Sequence, residues 1–225
     1  MFGFGAKSRM VSPEQALPGH GSPIFEVGDM HAVLGTSLRG PWPGSASIYL
    51  AMGCFWGAEE LYWRMPGVIS TSVGYQGGFS PNPTYEEVCT GLTGHAEAVH
   101  VAYDPERLST YEVLKAFWEN HDPTQGMRQG NDVGTQYRSA IYVTTPQQQQ
   151  LAQATSAAYG AVIAGRGYPA ITTEIGQAVD HPYYLAEGVH QQYLYKVPNG
   201  YRCHANTGLA LPSLEELGEL DAPAR

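Results

Sequence analysis

Basic residues are scarce in this chain: twelve Lys and Arg stand against twenty-one Asp and Glu among 225 residues, for a net charge of −9. No basic cluster is present to neutralise a phosphate backbone or an anionic bilayer, so nucleic acid and membrane surfaces are excluded as expected partners. Part of the acid (Glu215, Glu216, Glu219 and Asp221) sits in a tail over 213–225 that reads as a solvated face. Apolar runs of membrane-spanning length are missing. Lys7 and Arg9 are not followed by a hydrophobic stretch, a poor match to a secretion signal, and a cytoplasmic location is expected.

Cysteine is rarer still. The three, Cys54, Cys89 and Cys203, are widely spaced and odd in number, which fits neither a secreted disulfide framework nor a zinc-ligand spacing. At most one bridge can form, and in a reducing compartment it would be transient and catalytic. The eight histidines form no pair at metal-ligand spacing, so neither a metal nor another cofactor is expected.

Regular order begins at Ser47. Residues 1–46, broken by Pro13, Pro18, Pro23, Pro41 and Pro43, read as an irregular extension laid on the domain surface. The apolar run 47–52 predicts a buried strand, and 54–65, closed by Pro66-Gly67, predicts a helix. Further strands are expected over 68–75, 95–103, 137–143 and 171–175. Helices are expected after Thr84, with Glu87 completing a capping box, after Ser109 with Glu112, and from Pro146 to about Ala164. The long polar loop 121–134 is the kind more often functional than idle. Strands alternating with helices, with one Pro- and Gly-rich break, predict an α+β fold: a two-layer α/β sandwich with a mixed sheet and a ferredoxin-like core. The catalytic domain is expected over 47–212, between the extension 1–46 and the tail 213–225.

Cys54 is the candidate nucleophile. It lies where a strand gives way to a helix, and free backbone N–H groups with the positive end of the helix dipole favour a thiolate there. A free-thiol pKa of about 8.5 is therefore expected to fall by about a unit or more. The alternative is a buried cysteine acting as a small hydrophobe. Strand alternation puts Glu97 on one face with Val99, Val101 and Tyr103, the core face, where desolvation would raise its pKa and keep a protonated acid. A register shift would instead leave it solvated at the strand end. Tyr85 and Tyr137, at loop ends, can keep their rings in the core and their hydroxyls in a pocket, although among fifteen tyrosines packing is the more ordinary role. Asp132, within Gly130-Asn-Asp-Val-Gly134, is a candidate ligand acceptor or an Asx-turn residue.

These segments carry a resemblance. Gly53-Cys-Phe-Trp-Gly57, Gly74-Tyr75-x-Gly-Gly78, Asn82-Pro-Thr-Tyr-x-x-Val-Cys89, Gly94-His-Ala-Glu-Ala98, Phe117-Trp-Glu-Asn-His-Asp-Pro123, Gln129-Gly-Asn-Asp-x-Gly-Thr-Gln-Tyr-Arg-Ser139 and His190-Gln-Gln-Tyr193 run in order from about Ile48 to Pro212. Together they resemble the A-type peptide methionine sulfoxide reductases, whose repair chemistry is the reduction of one sulfoxide epimer.

The resemblance implies a thiol-dependent reductase for the S epimer of methionine sulfoxide, free or in oxidised proteins, and a monomer is expected. Cys54 would attack the sulfoxide sulfur while Glu97, with Tyr85 and Tyr137, polarises the S–O bond. Phe55 and Trp56 would wall the substrate methyl group, with His190 and Tyr193 beside them, and Asp132 would orient the substrate main chain. The product on Cys54 is a sulfenic acid, which Cys203 would resolve to a disulfide that thioredoxin reduces. Here the chain departs from relatives that carry a second recycling cysteine, since none lies between Gly208 and Arg225. An idle surface thiol is the alternative for Cys203, and Cys89 is expected to be a buried bystander. Two other classes stay open on the residues alone: a cysteine hydrolase using His190 or His121 with Asp132, and a redox module that swaps disulfides with partners.

Overall fold

The computed structural model describes residues 7–203 and 205–218, so part of the acidic tail, 219–225, lies outside the described residues. In chain order, β1 (Ala46–Met52) is followed by α1 (Phe55–Trp63), β2 (Val68–Gln76), α2 (Tyr85–Cys89), β3 (Ala96–Tyr103) and α3 (Thr110–Glu119). A short hairpin, β4 (Arg128–Gln129) and β5 (Asp132–Val133), precedes β6 (Ser139–Val143), α4 (Pro146–Ala164), β7 (Glu174–Gln177) and β8 (Tyr184–Leu185). The last elements are α5 (Tyr193–Lys196) and α6 (Leu214–Leu217).

Local chemistry sets the boundaries. Thr84 with Glu87, and Ser109 with Glu112, form the two expected capping boxes at the starts of α2 and α3. Thr145 caps α4 by accepting from the Gln148 N–H, and Pro146 takes the first helical position, where no backbone donor is needed.

The sheet is mixed, in the order β7-β6-β1-β3-β2-β8. β1 is antiparallel to both β3 and β6, β2 is antiparallel to β3 and β8, and β6 runs parallel to β7. Its four central strands, β6-β1-β3-β2, have the interleaved order that two β-α-β crossovers generate, the ferredoxin-like core expected from the element pattern.

Alternation along the strands divides the core in two. Ile48, Leu50, Val99, Val101 and Ile141 face α1, α3 and α4 and meet Tyr62, Leu114, Phe117, Trp118 and Tyr159, all fully buried. Each large side chain removed from water contributes about 1.5–3 kcal/mol. On the other face stand Ala51, Ala96, Ala98 and Ala140, small enough for irregular chain to lie close. That chain comes partly from before β1. Trp42 packs on His100 with ring centroids 5.3 Å apart, and His100 stacks on Tyr49 at 4.6 Å. Farther along, Leu17 N–H donates to Leu92 O, His20 N–H to Pro81 O, and Thr36 Oγ1 to Ile69 O.

Three expectations shift. The helix predicted over 54–65 covers Phe55–Trp63, with Cys54 as its N-cap. The strand predicted over 171–175 pairs over Glu174–Gln177 instead, because Ile171 packs against the core beside α4 rather than joining the ladder. The loop 121–134 contains the β4–β5 hairpin.

Candidate active site

Gly53 makes the site possible. It turns the chain from β1 into α1 with φ of +95°, and a Cβ here would lie 2.7 Å from Cγ of Gln129. Cys54 follows as a free thiol, only 8% exposed, at the head of α1. The backbone N–H groups of Trp56 and Gly57 reach its sulfur and favour the thiolate, as expected for a helix start. They are outweighed. Burial, and after it the nearby Glu97 carboxyl, pushes the Cys54 pKa well above its ordinary value, which corrects the expectation of a lowered one. In the unliganded site Cys54 is a thiol.

Glu97 lies on the core face of β3, paired in register with Tyr75, and is 1% exposed. Its Oε2 accepts the Phe55 N–H at 3.0 Å, while Oε1 has no protein partner. Burial raises its pKa to about 8 against the pull of that N–H, and Asp132 adds to the rise, so the carboxyl is an acid at neutral pH. The same N–H joins this acid to the residue next to the thiol.

Two phenols flank the carboxyl. Tyr85, at the start of α2, stacks on Phe55 with centroids 6.4 Å apart and lies 4.4 Å from the ring of His190. Tyr137 ends a single 3-10 turn, Thr135–Tyr137, and is half-buried. Burial, then the charge of Glu97, raises the pKa of both, so both remain hydroxyl donors. Trp56 stacks on Tyr193 at 4.0 Å and donates its indole N–H to His190 Nδ1 at 3.2 Å. Phe55, by contrast, is 1% exposed and lies beneath this group.

Cys203 reaches the same place from the C-terminal segment. It lines, with Cys54, Met52, Gly57 and Gln129, a cavity of about 320 Å³. Its Sγ donates to Gln129 O at 3.6 Å, and a Cβ on Gly130 would stand 3.3 Å from that sulfur. Neighbouring side chains hold the segment. Tyr201 donates to Asp132 Oδ2 at 3.0 Å, and Arg202 donates to both oxygens of Glu60 on α1, at 2.6 and 3.0 Å. Both thiols are free.

Some residues escaped sequence analysis. Glu187 accepts the Tyr85 N–H and the Tyr75 hydroxyl, each at 2.7 Å, and so fixes the mouth of α2. Tyr201, Arg202 and Glu60 were also unmarked, since no local pattern announces contacts between segments so distant. Cys89 is not the buried bystander expected: it is half-buried and lies beside the Tyr85 hydroxyl. The histidines proposed for a hydrolase are occupied elsewhere, His190 Nδ1 by Trp56 and the two nitrogens of His121 by Phe117 O and Ser139 Oγ. Among the described residues no group of His, Cys, Asp and Glu could hold a metal ion, and no helix is long and apolar enough to cross a membrane.

Residues 46–217 match the family model for peptide methionine sulfoxide reductase. A peptide methionine sulfoxide reductase MsrA of Salinispora tropica is 58% identical over 211 residues, covering 92% of this chain and 94% of the relative. Another MsrA, from Vibrio cholerae, is 56% identical over 207 residues, 92% of this chain and 96% of the relative. Among solved structures, methionine sulfoxide reductase A of Corynebacterium diphtheriae superposes with a TM-score of 0.82 at 50% identity, over 91% of this chain and 100% of that one. The reduced form of Mxr1 from Saccharomyces cerevisiae gives 0.64 at 32%, over 77% of this chain and 96% of that one.

The chain belongs to the peptide methionine sulfoxide reductase family. It is an oxidoreductase, and methionine sulfoxide reduction is its reaction. Cys54 shares its cavity with a second thiol, Cys203, while the buried acid Glu97 is tied to the Phe55 N–H beside Cys54 and carries the phenols of Tyr85 and Tyr137 near its carboxyl.

Proposed function

We propose that the enzyme reduces the S epimer of methionine sulfoxide, free or within oxidised proteins, through a sulfenic acid on Cys54 and a Cys54–Cys203 disulfide recycled by thioredoxin. The observation that carries this is the buried acid Glu97, hydrogen-bonded to Phe55 N–H at the head of the helix that Cys54 caps. A sulfoxide sulfur is a weak electrophile until its oxygen receives a proton or a strong hydrogen bond. Glu97 gives its proton to that oxygen as the Cys54 sulfur attacks, and takes up the proton leaving the thiol. Tyr85 and Tyr137 donate to the same oxygen as negative charge develops on it.

Charge and atoms then balance in three steps. The thiol of Cys54 is oxidised to a sulfenic acid as the sulfoxide is reduced to a thioether, the oxygen passing from substrate to enzyme. Cys203 attacks the Cys54 sulfur, forming the disulfide and releasing water. A dithiol reductant returns both cysteines to thiols and becomes a disulfide itself, a role for which thioredoxin is the fitting partner. Because attack raises the demand for thiolate, the high resting pKa of Cys54 keeps the site unreactive until a substrate shares the acid.

Trp56, His190 and Tyr193 form the wall that receives the substrate methyl group and gives the site its handedness, and Phe55 backs it. Asp132 orients the substrate main chain, a position its carboxylate takes when Tyr201 withdraws. The catalytic unit spans 47–212, with 1–46 and 213–225 as accessory segments, although the family model reaches five residues further, to 217. The enzyme acts as a monomer in this reading, and a recycling cycle through free thiols suits the cytoplasm. The experiment is incubation with racemic methionine sulfoxide and dithiothreitol followed by chiral analysis. Loss of the S epimer alone is expected, and loss of both epimers or of neither overturns the proposal.

A further inference from the structure

A second buried carboxylate lies one turn along α1 from the thiol. Glu59 is completely buried and lies three residues beyond Trp56, so the indole and the carboxylate share a helix face. It touches neither Cys54 nor Glu97 by any hydrogen bond described above. Its Oε2 accepts the Gln192 N–H at 2.8 Å, and its Oε1 accepts Gln192 Nε2 at 2.7 Å and the Thr71 hydroxyl at 3.0 Å.

Gln192 is held in an unusual backbone. Its φ of 47° and ψ of 44° lie in the left-handed region, which side chains other than glycine rarely occupy without outside support. Support comes from both sides. Ala32 N–H donates to Gln192 Oε1 at 3.1 Å, and Gln191 next to it is stapled to β2 through Val73 N–H and O at 2.9 and 2.8 Å. The residues flanking this pair, His190 and Tyr193, are the two that touch Trp56.

A chain of donors reaches Glu59 from the other direction. His31 Nδ1 accepts the N–H groups of Val33 and Leu34, each at 3.1 Å, which assigns the ring proton to Nε2. Nε2–H then donates to Thr71 Oγ1 at 2.8 Å, and Thr71 passes its own proton to Glu59. Every neighbour donates and so favours the ionised carboxylate, against the burial that raises the Glu59 pKa to about 7.

We infer that Glu59 is a positioning residue for the substrate wall, holding Gln192 in its left-handed turn so that His190 and Tyr193 meet Trp56 at the mouth of the site. This rests on the wall described under the proposed function. Glu59 acts on substrate through those rings alone, so its loss should weaken substrate capture and spare the chemical step.

The test is Glu59→Gln in the full chain, which sets an amide N–H₂ against the donors of Gln192 or Thr71. With saturating dithiothreitol, KM for methionine sulfoxide should rise about tenfold, the size expected from losing a charge-assisted hydrogen bond, with kcat within about twofold. In the same variant the Trp56 indole N–H resonance, assigned with Trp56→Phe, should move, since that proton is donated to His190. Leu151→Ala, a cavity in α4, should lower Tm and leave both readouts alone. If Glu59→Gln does not fold, Thr71→Val decides by the same readouts, with a KM rise of about threefold expected. Unchanged KM and an unmoved indole resonance overturn the inference, as does a fall in kcat with KM unchanged. Tyr193→Ala separates the two levels. If it leaves KM unchanged the wall itself is wrong, whereas if it raises KM while Glu59→Gln does not, only the role of Glu59 fails.

Discussion

Exchanging Glu97 for Gln alters one group in a fully buried position and separates proton delivery from everything else Glu97 does. The amide oxygen can still accept the Phe55 N–H, now 3.0 Å from Oε2, and the amide nitrogen can take the place of Oε1, which has no protein partner. What disappears is a titrating proton. With a pKa of about 8, roughly nine in ten Glu97 carboxyls are protonated at pH 7. Loss of a general acid of this kind slows a chemical step by about a hundredfold or more, equivalent to roughly 3 kcal/mol of barrier. Single-turnover quench experiments with enzyme in excess, following methionine formed, measure that step directly. The wild-type rate should fall as pH rises through about 8, where the acid is lost, and the variant should lack that limb.

Stability should move in the opposite direction. Glu97 in the unfolded chain has an ordinary pKa of about 4.3, so between there and about 8 the folded state binds the extra proton. Unfolding free energy therefore declines with pH across this window. By pH 7 the buried carboxyl has lowered stability by roughly 3 kcal/mol relative to acid conditions. Glu97→Gln removes that dependence, and Tm at pH 7 should rise by a few degrees, to at most about 10 °C. A slower enzyme that melts later is the expected signature. An unchanged single-turnover rate, or a lost rate accompanied by a lower Tm, would refute the assignment of Glu97 as the acid.

Two further outcomes follow from the cavity. Cys203→Ser should release about one equivalent of methionine per enzyme with thioredoxin as the sole reductant, since a sulfenic acid on Cys54 then has no resolving thiol; repeated turnover would point to Cys89 as a substitute. Gly53→Ala should lower stability by about 1–3 kcal/mol, because alanine would be strained at a φ of +95° and its Cβ would meet Gln129. A thermal melt with unchanged Tm would show that the β1–α1 turn relaxes without loss.

The core was legible because its signals are local. Alternation placed Glu97 with Val99 and Val101, the capping boxes placed α2 and α3, and the strand-to-helix break placed Cys54. What stayed hidden depends on depth and on distant segments. The helix-start donors at Cys54 could be inferred from position, but the burial that overcomes them is a property of the assembled cavity. Glu59 and Glu60 are neighbours in one helix and look alike in sequence. One is sealed among Thr71 and Gln192, while the other pairs with Arg202 far along the chain. Likewise β8 is only two residues long and exists because Gly74 and Tyr75 offer an edge.

The hydrogen bonds of His31 and Ala32 have a bearing on where this protein ends as a folding unit. The family match begins at residue 46, yet the segment before it supplies a ring to Thr71 and a backbone donor to Gln192. A chain trimmed to the matched region would expose a carboxylate that the intact protein keeps dry and would strip Trp42 from His100. Its aromatic mouth would lose one of its two anchors while every catalytic side chain remained in the sequence. The border of the family model and the border of the packed unit are therefore different places, and a shortened form could retain the full set of reactive groups while binding its substrate poorly.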